Sequence, residues 1–307
     1  NVGHFKGLSL LTFLDLRGNA VEHADGYRIH IIDALPSLEC LDLLKVANGA
    51  RSSAGSKTIG RALTLDLISK SHPNLATSDT IICSGMNLEI VSLEPTDITK
   101  LSHINHVDLS NNNLRQLGEV AEMTEIKTLD VTSNKMISLF PETSDEVSSY
   151  PLSNLNRLNI SCNDLTTSSL LSLQLPRLSA LTSLNLSKNH ITKLDLPLFA
   201  AIPCLEQLDV SFNEIKTMHK LLLSMKIIPV QASLTKLKEL NLANNRLKDL
   251  SALNGAVALQ ILDVSNNRLT SLAALKSISA MSELKSIDCT GNSVTERRVY
   301  SGYMRNQ

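Results

Sequence analysis

The chain has 307 residues, with 29 Lys and Arg against 30 Asp and Glu and a formal net charge of -1. A balance this close to neutral argues against duplex nucleic acid or an anionic membrane surface as an electrostatic partner. No apolar run approaches the roughly 18 to 20 residues that a membrane-spanning helix needs, so no membrane insertion is expected. Hydrophobic residues make up 43% of the chain but aromatics only 3%, with no Trp. Any core is therefore built from small branched aliphatics.

In chain order, the first 44 residues hold one copy of a spaced pattern, Leu11, Leu14, Leu16, Asn19 and Val21, followed by Tyr27-Arg28, Ile31-Ile32, Leu35-Pro36, Leu38 and Leu41-Asp42. Residues 45–61 are rich in Ala, Ser and Gly with scattered Lys and Arg, which is linker composition. Within this stretch, Gly49 to Thr58 has the flavour of a phosphate-binding loop but not its spacing: Ala50 stands where the first Gly belongs and Ser56 separates Gly55 from Lys57. Ile59 to Ser71 reads as a short helix with Ile59, Leu63, Leu67 and Ile68 on one face. Leu63-Leu65-Leu67 alternates, however, so a strand fits as well.

From residue 78 the spaced pattern becomes serial. A degenerate copy places Ile81, Cys83, Met86 and Leu88 in its apolar slots. Eight regular copies follow, the first being Ile104, Val107, Leu109, Asn112 and Leu114. Their asparagines are Asn112, Asn134, Asn163, Asn189, Asn213, Asn245, Asn267 and Asn292, spaced from 22 residues (Asn112 to Asn134) to 32 (Asn213 to Asn245). The alternating centre of each copy is a short strand with one face in and one out. The Asn enters a turn where its amide satisfies backbone groups that no sheet ladder reaches. One coil cannot bury its own apolar side, but stacking does it for all of them. At about 4.8 Å per coil, eight coils give an inner ribbon roughly 34 Å long.

Two coils are longer than the rest. Residues 138–154 carry Pro141, Glu142, Asp145, Glu146 and Pro151 and read as an exposed acidic loop. Residues 216–229 hold Met218, Leu221, Leu222, Met225 and Ile228, a spacing that predicts a helix with one apolar face packed on the convex side. At the end, Asn292, Val294, Tyr300 and Tyr303 repeat the opening of the residue 19–42 segment.

These residues carry a clear resemblance. The pattern is similar to that of the leucine-rich repeat superfamily, nearer its short-repeat SDS-type members. The segment after Asn19 resembles the subfamily's C-terminal cap, where a short helix closes the last coil. The resemblance implies an α/β fold, a right-handed solenoid with a curved parallel sheet on the concave face and a helical or irregular convex side. It further implies that residues 1–44 end a first array with its cap, that 45–61 link, and that 62–307 form a second array ending in a partial cap. With no initiator Met and no signal-peptide pattern at Asn1, more sequence is expected on both sides.

The five cysteines (Cys40, Cys83, Cys162, Cys204, Cys289) are scattered and lack CxxC spacing, which fits reduced thiols in a cytoplasmic protein. The eight histidines show no metal spacing, and no catalytic set, cofactor or small-molecule substrate is expected. Asn159-Ile160-Ser161 and Asn185-Leu186-Ser187 have the form of glycosylation sequons but fall on packed strands of the repeat.

The outward strand positions are the candidate binding surface. One slot holds Asp108, Asp130, Asn159, Asn185, Asp209, Asn241, Asp263 and Asp288. Arg157, Phe212 and Ile261 flank it, the last two being the large apolar residues of that face. Such a column is available to basic or hydrogen-bonding groups of a protein partner, although Asp or Asn here also keeps the face hydrated. The expected function is a non-enzymatic interaction scaffold, with a place in the cilium or microtubule cytoskeleton implied by analogy with multi-array proteins. The alternative is a regulatory subunit of a protein phosphatase or another enzyme. An inner face poor in aromatics sets this chain apart from the phosphatase regulator.

Overall fold

The computed structural model describes residues 11–14, 16, 31, 35, 37–38, 40–41, 44–45, 61–139, 152–173, 178–195, 202–219, 236–254 and 256–296. The chain divides into two compact units, Asn1–Gly60 and Arg61–Gln307. In the first, β1 (Phe13–Leu14) pairs parallel with β2 (Cys40–Leu41), and β2 pairs antiparallel with β3 (Leu44–Lys45). Its core joins Leu11, Leu14 and Leu16 of the lone repeat to Ile31, Leu35, Leu38 and Leu41. The phosphate-loop-like segment lies outside the described residues.

The second unit opens with β4 (Arg61–Leu63) and α1 (Leu65–Ser71), so the helix reading holds from Leu65 onward, and of the alternating run Leu63-Leu65-Leu67 only Leu63 lies on a strand. The switch falls at Thr64, whose hydroxyl caps the helix by accepting the Leu67 N–H at 3.3 Å. β4 pairs parallel with β6 (Leu88–Val91) of the first coil, and Leu63 and Ile68 enter the main core.

Nine strands follow the repeat: β5 (Thr80–Ile82), β7 (His106–Asp108), β8 (Thr128–Asp130), β9 (Arg157–Asn159), β10 (Ser183–Asn185), β12 (Gln207–Asp209), β14 (Glu239–Asn241), β15 (Ile261–Asp263) and β16 (Ser286–Asp288). They form one parallel sheet in which every neighbour in space is the next coil in sequence. Register never slips: Leu184 faces Leu158 on one side and Leu208 on the other. Opposite the sheet run short helices, α2 (Pro95–Lys100) and α3 (Thr167–Ser172), and 3-10 turns at Gly118–Glu122, Ser251–Leu253 and Leu272–Ala280. This is the α/β solenoid with a parallel sheet along one face. Leu109, Val131, Ile160, Leu186 and Val210 are fully buried in one continuous cluster.

The expected helix over 216–229 begins instead as strand β13 (Thr217–His219), paired in parallel with β11 (Lys193–Asp195) of the preceding coil, Leu194 opposite Met218. At Thr217–His219 a neighbouring coil offers a hydrogen-bonding edge, and these three residues take it. Residues 220–235 lie outside the described residues. So does most of the expected acidic loop, residues 140–151; of its described flanks, Leu139 and Leu152 are fully buried and Asn154 is exposed. Both sequon strands are packed as expected, with Ser161 and Ser187 buried. Cys83 and Cys289 are buried, and Cys162 and Cys204 half-buried, with no disulfide joining them.

Candidate partner-binding face

The eight repeat asparagines, all buried, make the turns that hold the sheet's outward residues in line. Each works in two coils. Asn134 Oδ1 accepts the Leu114 N–H at 2.9 Å, while its Nδ2 donates to the carbonyls of Leu109 (2.9 Å) and Val131 (3.1 Å). Asn112, Asn163, Asn189, Asn213, Asn245, Asn267 and Asn292 repeat the arrangement. In the degenerate first coil Met86 takes the Asn slot, and Asn112 of the next coil accepts its N–H at 2.9 Å.

The residue before each Asn adopts positive φ: Asn111, Ser133, Cys162, Lys188, Phe212, Asn244, Asn266 and Gly291. Gly and Asn tolerate this region, but a bulky aromatic rarely enters it. Gly291 is needed for a second reason: a Cβ there would stand 2.1 Å from Asn266 Oδ1.

The predicted Asp/Asn column is real and in register across β7 to β16. Every member closes a local turn. Asp108, Asp130, Asp209, Asp263 and Asp288 each accept, through Oδ1, the N–H two residues on, all at 2.8 Å. Asn159, Asn185 and Asn241 do the same at 2.9 to 3.3 Å. Asp130 Oδ2 also receives Asn159 Nδ2 (3.1 Å), and Asp209 Oδ2 receives Asn241 Nδ2 (3.3 Å). One carboxylate oxygen per Asp therefore serves the backbone. Only at Asp108, Asp263 and Asp288 is the second oxygen without a side-chain partner among the described residues.

The flanking residues divide. Arg157 and Ile261 occupy the first, outward position of β9 and β15, both exposed. Phe212 is not on a strand at all. It sits in the turn after β12, half exposed, with Lys188 Nζ 5.8 Å from its ring centroid. Glu206 and Lys238 form an inter-coil ion pair at 2.8 Å, and Lys285 Nζ donates to Gln260 Oε1 at 3.0 Å.

Sequence reasoning missed Ile82, which stands in the Asp/Asn column opposite Asp108 and is 54% exposed. Extending the slot into the degenerate copy would have found it. Ile82 lies on the sheet's terminal strand, and that edge is closed by side chains. His72 Nε2 accepts the Ile82 N–H at 2.8 Å, and its Nδ1 bonds the Ile68 carbonyl at 3.1 Å. Ser78 Oγ accepts the Thr80 N–H (3.1 Å) and donates to the Thr80 carbonyl (3.0 Å). Behind this edge, Leu65, His72, Leu75, Lys100 and His103 line an open depression of about 550 Å³.

Cys83, at the inner end of β5, is fully buried. Burial pushes its thiol up to about 11; Asp108 adds to the shift and Arg61 opposes it. Among the described residues no three His, Cys, Asp or Glu side chains converge as metal ligands, and no helix is long and apolar enough to cross a membrane.

In-register parallel strands, an internal asparagine ladder and a hydrated outer column define a class, the open repeat solenoids that recognise other macromolecules along a surface. The chain carries leucine-rich repeats, stacked as a leucine-rich repeat solenoid. A sequence profile for two leucine-rich repeat copies matches residues 179–222, and a single-repeat profile matches 233–253. A probable inactive serine/threonine-protein kinase, roco10, of Dictyostelium discoideum is 33% identical over 133 residues, which is 42% of this chain and 5% of that protein. Among solved structures, the leucine-rich repeat domain of APL1B superposes with a TM-score of 0.50 at 22% identity, over 67% of this chain and 55% of that one. The TLR13 chain of a TLR13–ssRNA13 complex does so at 0.50 and 18%, over 93% and 41%. These likenesses establish the fold. Repeats of this superfamily serve as protein–protein interaction domains.

Proposed function

We propose that this chain is a non-enzymatic protein–protein interaction scaffold whose partner lies along the sheet's outward face. The observation that carries the reading is the unbroken register from β7 to β16. It holds Asp108, Asp130, Arg157, Asp209, Ile261, Asp263 and Asp288 on rigid, hydrogen-bonded turns and strands. A surface ordered before contact loses little entropy on docking. Phe212 contributes from the rim rather than the strand row. The setting that best suits two arrays in one chain is a cytoplasmic structural assembly of the cilium or microtubule cytoskeleton, on analogy with multi-array proteins found there.

The test is affinity purification of the whole chain with quantitative mass spectrometry, comparing the parent with an Asp209→Asn, Asp263→Asn, Asp288→Asn triple variant and with Ile261→Thr. Asn keeps the turn-closing oxygen, as Asn159, Asn185 and Asn241 already do, so only charge is removed at Asp263 and Asp288, while at Asp209 the bond from Asn241 Nδ2 is lost with it. Specific partners should drop at least tenfold in one variant or the other. Identical recovery in both would sink the inner-face reading.

A further inference from the structure

Beyond the inner face, the rim turns of the central coils form a second surface of opposite character. Lys188, Lys216, Lys248 and Arg268 are exposed and, among the described residues, make no ion pair. Two acids share these turns, one in an ion pair and one serving a backbone cap. Glu214 is held by Arg246 at 3.0 Å, and Asp249 Oδ1 caps the Ser251 N–H at 2.9 Å. Backbone bonds lock these turns side by side: Lys188 N–H to the Ser211 carbonyl (2.9 Å), Phe212 to Ala243 (2.9 Å), Lys216 to Thr192 (3.0 Å) and Arg268 to Leu247 (2.8 Å).

Beside Lys188 on this rim sits Phe212, with 53% of its surface exposed and φ at +52°. The same slot holds Gly, Asn, Ser, Cys or Lys in the other coils. An aromatic there gains nothing for the fold: it adopts a backbone region it disfavours and shows its ring to water. Lys188 lies over that ring and keeps its ammonium beside it.

We propose that this rim, Lys188, Phe212, Lys216, Lys248 and Arg268, binds a short, extended, acidic protein segment bearing one apolar side chain. The apolar side chain packs on Phe212, and carboxylates meet Lys188 at one end and Lys216, Lys248 and Arg268 at the other. The four coils involved span about 14 Å, the reach of about four or five extended residues. Charge complementarity selects an acidic partner. The exposed ring selects a side chain over a bare polyanion, although stacking on Phe212 makes single-stranded RNA the competing occupant to test. Phe212 is the one residue this surface shares with the inner-face reading; Lys188, Lys216, Lys248 and Arg268 belong to the rim alone, and their variants tell the two apart.

The experiment displays random heptapeptides to the whole chain, then measures the selected sequence as a fluorescein-labelled peptide by anisotropy. Enrichment of peptides with three or more acids and one aliphatic or aromatic residue is expected, with affinity falling as salt rises. Phe212→Asn, which suits positive φ, and the pair Lys188→Glu and Arg268→Glu should each weaken binding at least tenfold. Lys276→Glu, an exposed cation in the 3-10 turn Leu272–Ala280, should leave it unchanged. Unaltered urea midpoints would show that these variants fold. No acidic enrichment, or binding lost with Lys276→Glu and kept in the rim variants, would overturn the proposal. So would octauridine binding more tightly than any selected peptide and being lost in the rim variants.

Discussion

Asn189 joins two coils by itself: its Oδ1 accepts the Leu165 N–H at 3.0 Å, and its Nδ2 reaches back to the Ile160 carbonyl at 3.1 Å. Both ends of the bridge are buried, so water cannot replace it. Asn189→Ala strands the Leu165 N–H, and it takes one donor each from the Ile160, Leu186 and Ser187 carbonyls, which keep Asn163 Nδ2, Asn213 Nδ2 and the Cys162 N–H. A buried donor or acceptor left unmade costs about 1 to 3 kcal/mol. A loss of about 3 kcal/mol in urea unfolding is expected, and a loss below about 1 kcal/mol would mean that the ladder does not hold the coils.

The Asp column makes a graded prediction. Asp263→Asn preserves the acceptor for Ser265 N–H, whereas Asp263→Ala deletes it. Thermal denaturation should place Asn near the parent. Ala should fall about 1 kcal/mol below it, as for a lost capping side chain. Equal effects would show that charge, not the turn, is what the position supplies.

Cys83 links stability to alkaline pH. Its thiol is raised from 9.0 to about 11, so the folded chain keeps a proton that the unfolded chain loses between these values. Stability is therefore full below about pH 9 and declines as pH rises toward 11. Replacing Cys83 with Ala should flatten this part of the curve, and alkylation at pH 8 should label Cys162 and Cys204 well before Cys83.

His72 blocks the open edge of the sheet by occupying the Ile82 N–H. Unpaired strand edges invite edge-to-edge association. His72→Ala should increase self-association, read as higher-mass species in sedimentation velocity. A profile matching the parent would show that the edge is closed by other means.

Much of the fold was legible because the repeat tests itself eight times: a strand read at Val107 is read again at Leu129, Leu158 and Leu184, and all four are buried. Single-copy features were harder. Thr217–His219 carried a helical spacing whose outcome depended on Lys193–Asp195 lying alongside, a contact 24 residues away in the chain. The inner column was found from the sequence, but its turn-closing role was not. Asp209 as a recognition residue and Asp209 as a cap for Ser211 have the same one-letter signature. Phe212 was assigned to the inner face because its offset from the leucines fits. Positive φ at that residue swings it onto the rim instead.

What the residues determined unaided was periodicity, and with it the class of fold, since leucines at fixed offsets can be buried together only by stacking. The tertiary structure alone decided which polar atoms remain free. A carboxylate's second oxygen, a blocked strand edge and an uncompensated cation on a rim are each settled by a neighbour one coil away, and spacing within a copy says nothing about that neighbour's side chain.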